Sequence, residues 1–154
     1  MNRSFEAPWQ RTPAELIEYA LEHLQGETDV DRQVGYVLLD LGVEALFKTF
    51  LLIPSSASGA LTKFTNRRKA ASGNFHEMVE GVKRAVPADV KGDFDWESIQ
   101  YYHTIRNKLY HEGDGVTVRP DNAHAYAELA VDLLVALLKV DLTDVLRRPE
   151  MQRE

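Results

Sequence analysis

Apolar side chains recur along most of this chain at intervals of three and four residues, the spacing of amphipathic helices. The clearest run opens at Thr28 with the capping sequence Thr-Asp-Val-Asp and continues to about Ile53, where Pro54 ends it. It predicts a long second helix. Its apolar positions include Val34, Val37, Leu38, Leu41, Ala45 and Leu52.

Four further helices follow from the same pattern and its punctuation. The capping sequence at residues 12–15 opens a first helix through about residue 24, and residues 74–86 form a short third helix. The fourth begins at residues 93–95 and ends near Gly113. Pro120 begins the last helix, which is apolar on two sides and is therefore expected centrally or at an interface. Segments 55–72, rich in Ser, Ala, Thr and Gly, and 116–118 are predicted as a loop and a short extended stretch.

The predicted fold class is all-α: an up-down bundle of about five helices, in one domain over residues 1–154 with its core at about residues 14–146. The long second, fourth and fifth helices form the bundle. No cysteine is present, which excludes disulfides and thiolate metal sites. The N-terminus lacks the apolar run of a signal peptide, and the apolar residues 133–138 are too few to span a membrane. We therefore expect a cytoplasmic protein.

The net charge of -6 disfavours sequence-blind binding to nucleic acid, which depends on many Lys and Arg contacts to phosphates. One local basic run, residues 63–69, is compatible with RNA contact through Lys63, Arg67 and Arg68, with Phe64 stacking on a base. A solvated loop explains the same run equally well.

The fourth helix carries an unusual polar face. At about 100° per residue, five of its side chains fall within an arc of roughly 140° and combine a permanent cation, an amide and two groups that titrate near neutrality. These residues are His103, Arg106, Asn107, Tyr110 and His111. The opposite side consists of Tyr102, Ile105 and Leu109 and predicts a core stripe. The polar set suits phosphate chemistry, although a solvated face with an Asn107 to His111 hydrogen bond is the alternative.

The sequence Arg106-Asn107-Lys108-Leu109-Tyr110-His111 resembles the signature of the HEPN superfamily, an Arg followed by a polar residue and, after a short spacer, a His near the end of a helix. The predicted bundle resembles the HEPN fold over nearly the whole chain. The resemblance implies a metal-independent, cofactor-free endoribonuclease that acts on single-stranded RNA as a homodimer. Toxins paired with an antitoxin protein and antiviral defence proteins belong to that superfamily, as do members that lack catalysis and bind nucleotides or protein partners.

The resemblance also implies residue roles. His111 would transfer protons, Arg106 would bind the phosphate, and Asn107 would hold His111 or a phosphate oxygen. Glu44, on the second helix, would orient Arg106 or His111; the alternative is a surface pair between Glu44 and Lys48, four residues on. Tyr110 and His103 would line the substrate cleft or pack at the dimer seam.

One chain holds one such catalytic set, so a two-fold dimer would place two copies across a shared cleft. The product would carry a 2',3'-cyclic phosphate. A function from a different class remains open: a binding or regulatory module with the same fold and no catalysis. The acidic balance favours that module, and the intact Arg106, Asn107 and His111 set favours the enzyme.

Overall fold

The computed structural model describes residues 3–53, 61–111 and 117–146, and for residues 61–65, 110 and 111 it describes the backbone alone. Over these ranges the chain forms eight α-helices and no strand, which confirms the all-α prediction. The helices are α1 (Arg11–Leu24), α2 (Asp29–Leu52), α3 (Leu61–Ala71), α4 (Phe75–Ala85), α5 (Ala88–Asp93), α6 (Trp96–His111), α7 (Pro120–Leu138) and α8 (Thr143–Leu146).

The predicted start of α2 is confirmed at atomic detail. The Thr28 hydroxyl accepts a hydrogen bond from the Asp31 amide at 3.0 Å, and the Asp31 carboxylate accepts one from the Thr28 amide at 3.3 Å. This capping box satisfies two main-chain donors that the first turn of a helix leaves unpaired. The acidic residues Asp29 and Asp31 also lie at the positive end of the helix dipole.

The start of α1 differs from the prediction. Thr12 lies inside the helix, and the N-cap is Gln10, at the end of a short 3-10 turn over Pro8–Gln10. The Gln10 side chain is buried and does not cap the helix. Its amide oxygen accepts a hydrogen bond from the Ala7 amide, and its amide nitrogen donates one to the Leu138 carbonyl at 2.8 Å. The polar group at this helix start therefore ties the beginning of α1 to the end of α7.

Helices α1 and α2 form a tightly packed antiparallel hairpin. A Cβ atom on Gly35 would lie 2.9 Å from the Leu24 main-chain nitrogen, and one on Gly42 would lie 2.7 Å from Cγ1 of Ile17. The two contacts are seven residues apart on both helices, and they run in opposite directions along them. The absence of a side chain at these two glycines allows the close approach.

Helix α2 is the centre of the bundle and contacts α1, α3, α4, α6 and α7. Three of its apolar side chains face outward: Val34, Leu41 and Leu52 are exposed by 40%, 48% and 47%. Because α2 is apolar around most of its circumference, periodicity alone does not show which side of the helix is buried. The positions of Gly35 and Gly42, which face α1, do show it. The residues that are fully buried are Tyr36, Leu39, Asp40, Val43, Leu46, Phe47 and Leu51.

Three helices were not predicted. Segment 55–72 was expected to be a loop, yet residues 61–71 form α3; residues 54–60 lie outside the described part of the chain. Helix α3 does not show the spacing of large apolar residues that marks an amphipathic helix. In the described residues its buried side consists of two alanines and one arginine, namely Arg67, Ala70 and Ala71. Helices α5 and α8 have six and four residues, too few to show a period.

The last long helix lies in the core, which is one of the two locations expected for it, the centre of the bundle or an interface. Residues 117–119 lead into it without helical or strand structure, and Val118 is buried. Helix α7 starts at Pro120 as predicted and ends at Leu138, before Lys139 in the left-handed conformation (φ 61°). Its fully buried side chains include Tyr126, Ala127, Ala130, Leu133 and Leu134.

We predict that Gly35→Ala destabilises the protein although alanine is the better helix former. The added methyl would meet Leu24 at 2.8 to 2.9 Å, including its main-chain nitrogen, so the α1–α2 hairpin must separate. We expect a loss of about 1–3 kcal/mol in the free energy of unfolding, measured by urea denaturation. Gly92→Ala is the matched control because a Cβ there meets nothing within 4 Å. It should be neutral or stabilising by up to about 1 kcal/mol; equal losses in both variants would contradict the close-packing argument.

Candidate active site

A fully buried carboxylate, Asp40, lies at the junction of α2, α6 and α7. Three side chains donate to it: the Tyr126 hydroxyl at 2.7 Å, Nδ1 of His103 at 2.9 Å and Nε of Arg106 at 3.0 Å. Arg106 and His103 share the oxygen Oδ2, and Tyr126 binds Oδ1. A buried charge is tolerated only when it is paired and hydrogen-bonded, and Asp40 meets both conditions.

Three tyrosines support this junction. Tyr36, one turn before Asp40 on α2, donates from its hydroxyl to the Tyr102 carbonyl at 2.6 Å. The Tyr102 ring stacks on Tyr126 with 4.9 Å between ring centres, and Tyr36 and Tyr126 are 5.4 Å apart. Each ring supplies apolar packing, and the Tyr36 and Tyr126 hydroxyls both have a partner. The cluster therefore fixes the relative positions of α2, α6 and α7 around Asp40.

Ionisation of the junction follows from these contacts. Burial by itself raises the pKa of Asp40, but hydrogen bonds from His103, Tyr126 and Arg106, together with the charge of His103, reverse the shift and hold the pKa below its usual value. Burial and the nearby Asp40 charge raise the pKa of Tyr126 well above that of a free tyrosine, and the same two causes raise that of Tyr36. Near neutral pH, Asp40 is therefore an anion that accepts from an un-ionised Tyr126.

The His103 ring is fixed on two sides. Its Nδ1 faces the Asp40 carboxylate, and its flat face stacks on Phe75 of α4 at 3.8 Å between ring centres and 11° between planes. An ionised carboxylate can only accept, so Nδ1 carries a proton whether the ring is neutral or charged. In the neutral ring, Nε2 then holds the free lone pair. The His103 side chain keeps 15% of its surface exposed.

The predicted polar face of α6 is therefore only partly a surface. His103 and Arg106 lie side by side as expected, but both turn inward to Asp40 and are half-buried. Asn107, next to Arg106, is also half-buried. The side chains of Tyr110 and His111 lie outside the described residues. Arg106 is not simply solvated, because its guanidinium binds a buried anion on α2.

The carboxylate that meets Arg106 is Asp40 rather than Glu44. Glu44 lies one turn further along α2 and pairs with Lys48 at 3.2 Å, which was the alternative interpretation of that residue. The sequence also contains a feature that points to Asp40, which the resemblance to the HEPN motif does not include. Asp40 is one of two carboxylates, with Glu44, in the long apolar run of α2, and a charge in such a run usually has a partner when it is buried.

The basic run of α3 is divided between core and surface. Arg67 is buried: its guanidinium donates to the Phe50 carbonyl and lies 4.9 Å from the centre of the Phe50 ring. The Phe50 carbonyl belongs to the last turn of α2, where main-chain acceptors lack helical partners, so Arg67 caps that helix. This contradicts its predicted role in substrate binding. Arg68 remains exposed, and the Lys63 side chain lies outside the described residues.

Comparison of this chain with protein-family models, with curated proteins and with solved structures found no match. Within residues 3–53, 61–111 and 117–146, no helix is both long and apolar enough to cross a membrane. Over the same ranges, no three His, Asp or Glu side chains are grouped as a metal ion would require.

We predict that Asp40→Asn lowers the free energy of unfolding at neutral pH by about 3–5 kcal/mol, because Arg106 then lacks its buried counter-charge. The control is Glu44→Gln, which removes a carboxylate one turn away in a partly exposed pair and should cost less than about 1 kcal/mol.

The same variants test the ionisation of Asp40. Because folding lowers its pKa, its contribution is present above the ordinary aspartate pKa of about 3.9 and is lost as pH falls through the lower folded value. The stability gap between wild type and Asp40→Asn should therefore narrow below about pH 4 in urea titrations. A gap that stays constant down to pH 2 would contradict an ionised Asp40.

Proposed function

We propose that this protein is a metal-independent endoribonuclease of the HEPN type that cleaves single-stranded RNA. The observation that carries the proposal is the position of Arg106, held on a buried carboxylate through Nε on the helix that places His111 five residues later. A guanidinium fixed in this way needs little rearrangement to meet a phosphate. The HEPN resemblance of residues 106–111 assigns the chemistry, and the preorganised Arg106 supports it.

RNA carries its own nucleophile, so the protein needs only to position the 2'-hydroxyl, remove its proton, stabilise the pentacoordinate phosphorus and protonate the departing 5'-oxygen. Arg106 remains charged at every relevant pH and presents a planar set of donors to phosphate oxygens. His111 changes protonation near neutrality and serves the proton transfers. Asn107, half-buried beside Arg106, completes the set through hydrogen bonds to His111 or a phosphate oxygen.

We further propose that the enzyme is a homodimer that pairs through α2. The exposed apolar residues of α2 form a stripe, defined by Val30, Val34, Leu41 and Leu52, that lies within about 40° on the helix. At 1.5 Å per residue this apolar stripe is about 33 Å long. On the α2 surface it borders the arc of Asp40 and Glu44, so two-fold pairing along it brings two candidate sites to one side of the dimer.

A second function is supported by the same junction. Asp40 receives three donors, and such a satisfied network is also what a purely structural lock between helices requires. Under this alternative the protein is a non-catalytic binding or regulatory module for a nucleotide or a protein. The enzyme proposal extends to a toxin or antiviral protein restrained by an antitoxin or regulatory partner, and the assay below applies to it without change.

We predict that the purified protein cleaves single-stranded RNA in excess EDTA and leaves 2',3'-cyclic phosphate ends, detected by mass spectrometry. His111→Ala should reduce the rate by at least about 100-fold, the usual scale for a lost acid or base. His124→Ala is the control, because His124 lies in an exposed pair with Glu128 on α7. Cleavage that stops with chelator and returns with a divalent ion would overturn the mechanism.

Arg106 needs a variant that separates catalysis from folding, since its removal takes away the permanent charge partner of the buried Asp40. Arg106→Lys keeps a cation near Asp40 but loses the planar fork. We expect a folded protein by circular dichroism and a rate lowered about 10- to 1,000-fold, within the range for one lost transition-state donor. Wild-type cleavage by a folded Arg106→Lys variant would place phosphate binding elsewhere.

We predict that Leu41→Lys converts the dimer to a monomer, measured by light scattering at micromolar concentration. Leu41 is 48% exposed at the middle of the apolar stripe, so a lysine there is tolerated in the monomer and must be desolvated in the pair. Val135→Lys is the control, an exposed apolar position on α7 outside the stripe. If wild type is monomeric and cleaves RNA, or if both variants remain dimers, pairing through α2 is wrong.

A further inference from the structure

Phe75 and Asp40 hold the His103 imidazole in one orientation, and the reaction proposed above does not use it. The Nδ1 atom lies 2.9 Å and 3.2 Å from the two Asp40 oxygens. Nε2 makes no hydrogen bond to any residue that the structure describes. A carboxylate that receives Nδ1–H fixes the tautomer, orients the ring and stabilises the imidazolium that forms when Nε2 takes a proton.

We propose that His103 is a catalytic residue of this ribonuclease, the general base that takes the 2'-hydroxyl proton, with Asp40 as its positioning residue. This inference rests on the proposed function. It departs from the Arg106 to His111 motif, in which His103 has no place. Because Arg106 and His103 bind the same oxygen of Asp40, the phosphate-binding cation and the base are adjacent in one chain.

The step balances within the groups named. The lone pair on Nε2 of His103 accepts the 2'-hydroxyl proton while the 2'-oxygen forms a bond to phosphorus. The bond between phosphorus and the 5'-oxygen breaks, and that oxygen takes a proton from the His111 imidazolium. The product is a 2',3'-cyclic phosphate and a free 5'-hydroxyl. Asp40 and the face of the Phe75 ring both stabilise the cationic form of His103 that results.

The surroundings of His103 are compatible with a proton acceptor. Among the side chains that the structure describes, the ionisable groups at the ring and its carboxylate are Asp40 from α2, Arg106 from α6 and Tyr126 from α7; α4 contributes the uncharged Phe75. Anionic Asp40 is closest to the imidazole, and Arg106 partly offsets its charge. His103 therefore lies beside the Asp40 anion, whose charge is partly balanced by Arg106. This arrangement suits reversible protonation of the imidazole.

His103→Asn provides the test because an asparagine amide can still donate to Asp40 but has no atom in place of Nε2. We expect this variant to fold, with a melting temperature near that of wild type, and to cleave RNA at least about 100-fold more slowly. In wild type, the pH profile of kcat/KM should contain a rising limb, because a general base acts in its proton-accepting form. The residual activity of His103→Asn should lack that rising limb. Added imidazole should partly restore cleavage by His103→Ala.

Asp40→Asn gives a second readout that is independent of activity. In wild type, the hydrogen-bonded Nδ1 proton of His103 should appear in ring 1H–15N NMR correlations, assigned by its absence from His103→Asn. Asp40→Asn should weaken or shift that signal, because an uncharged amide oxygen accepts a weaker hydrogen bond than a carboxylate, and should change the rising limb with it. If His103→Asn does not fold, diethyl pyrocarbonate can be applied to wild type instead. Inactivation should then follow modification of His103, located by peptide mass mapping.

Two failures are distinguishable. Wild-type protein that leaves RNA intact overturns the proposed function and this inference with it. Wild-type protein that cleaves RNA, beside a folded His103→Asn that matches its rate and pH profile, overturns only the role of His103. Modification of His103 by diethyl pyrocarbonate without loss of cleavage has the same meaning.

Discussion

The carboxylate of Asp40 has no exposed surface, and every element near the candidate site is arranged around the need to satisfy it. An unpaired charge at that depth would cost several kcal/mol. Two helices, α6 and α7, supply the donors, and the resulting network sets the rotation of α6 and the depth of Tyr126 on α7. The same bonds that make the anion tolerable also hold an arginine and a histidine in fixed orientations. The stability of the bundle and the geometry of the candidate site therefore depend on one set of contacts.

This sharing explains why the candidate site lies partly inside the bundle. A guanidinium on a flat helix surface would be mobile and fully hydrated, and it would have to lose water and freedom when it binds a phosphate. The ion pair with Asp40 has already removed much of the hydration and the mobility of the Arg106 guanidinium. His103 is similarly confined by Phe75. Preorganisation of this kind lowers the reorganisation that a reaction requires, at the expense of tolerance to substitution.

The sequence predicted the all-α fold, the start of α2, α4 and the whole of α6 to within a few residues, because those signals are local: caps, prolines and a helical period. It also placed His103 and Arg106 on one face. It failed where the answer depends on which helices meet. The buried arc of α2, the role of Arg67 and the choice of Asp40 over Glu44 each follow from tertiary contacts. One turn of helix separates the two carboxylates, and spacing alone does not distinguish them.

The contact between Gln10 and the Leu138 carbonyl has a consequence for how the chain opens. It joins the first turn of α1 to the last turn of α7, and Arg3 adds a bond to the Asp141 carbonyl just beyond. Fraying at one end of the sequence therefore deprives the other end of a hydrogen-bond partner. Amide hydrogen exchange at the two places should then report a single opening event, so that two stretches about 130 residues apart in sequence behave as one cooperative unit.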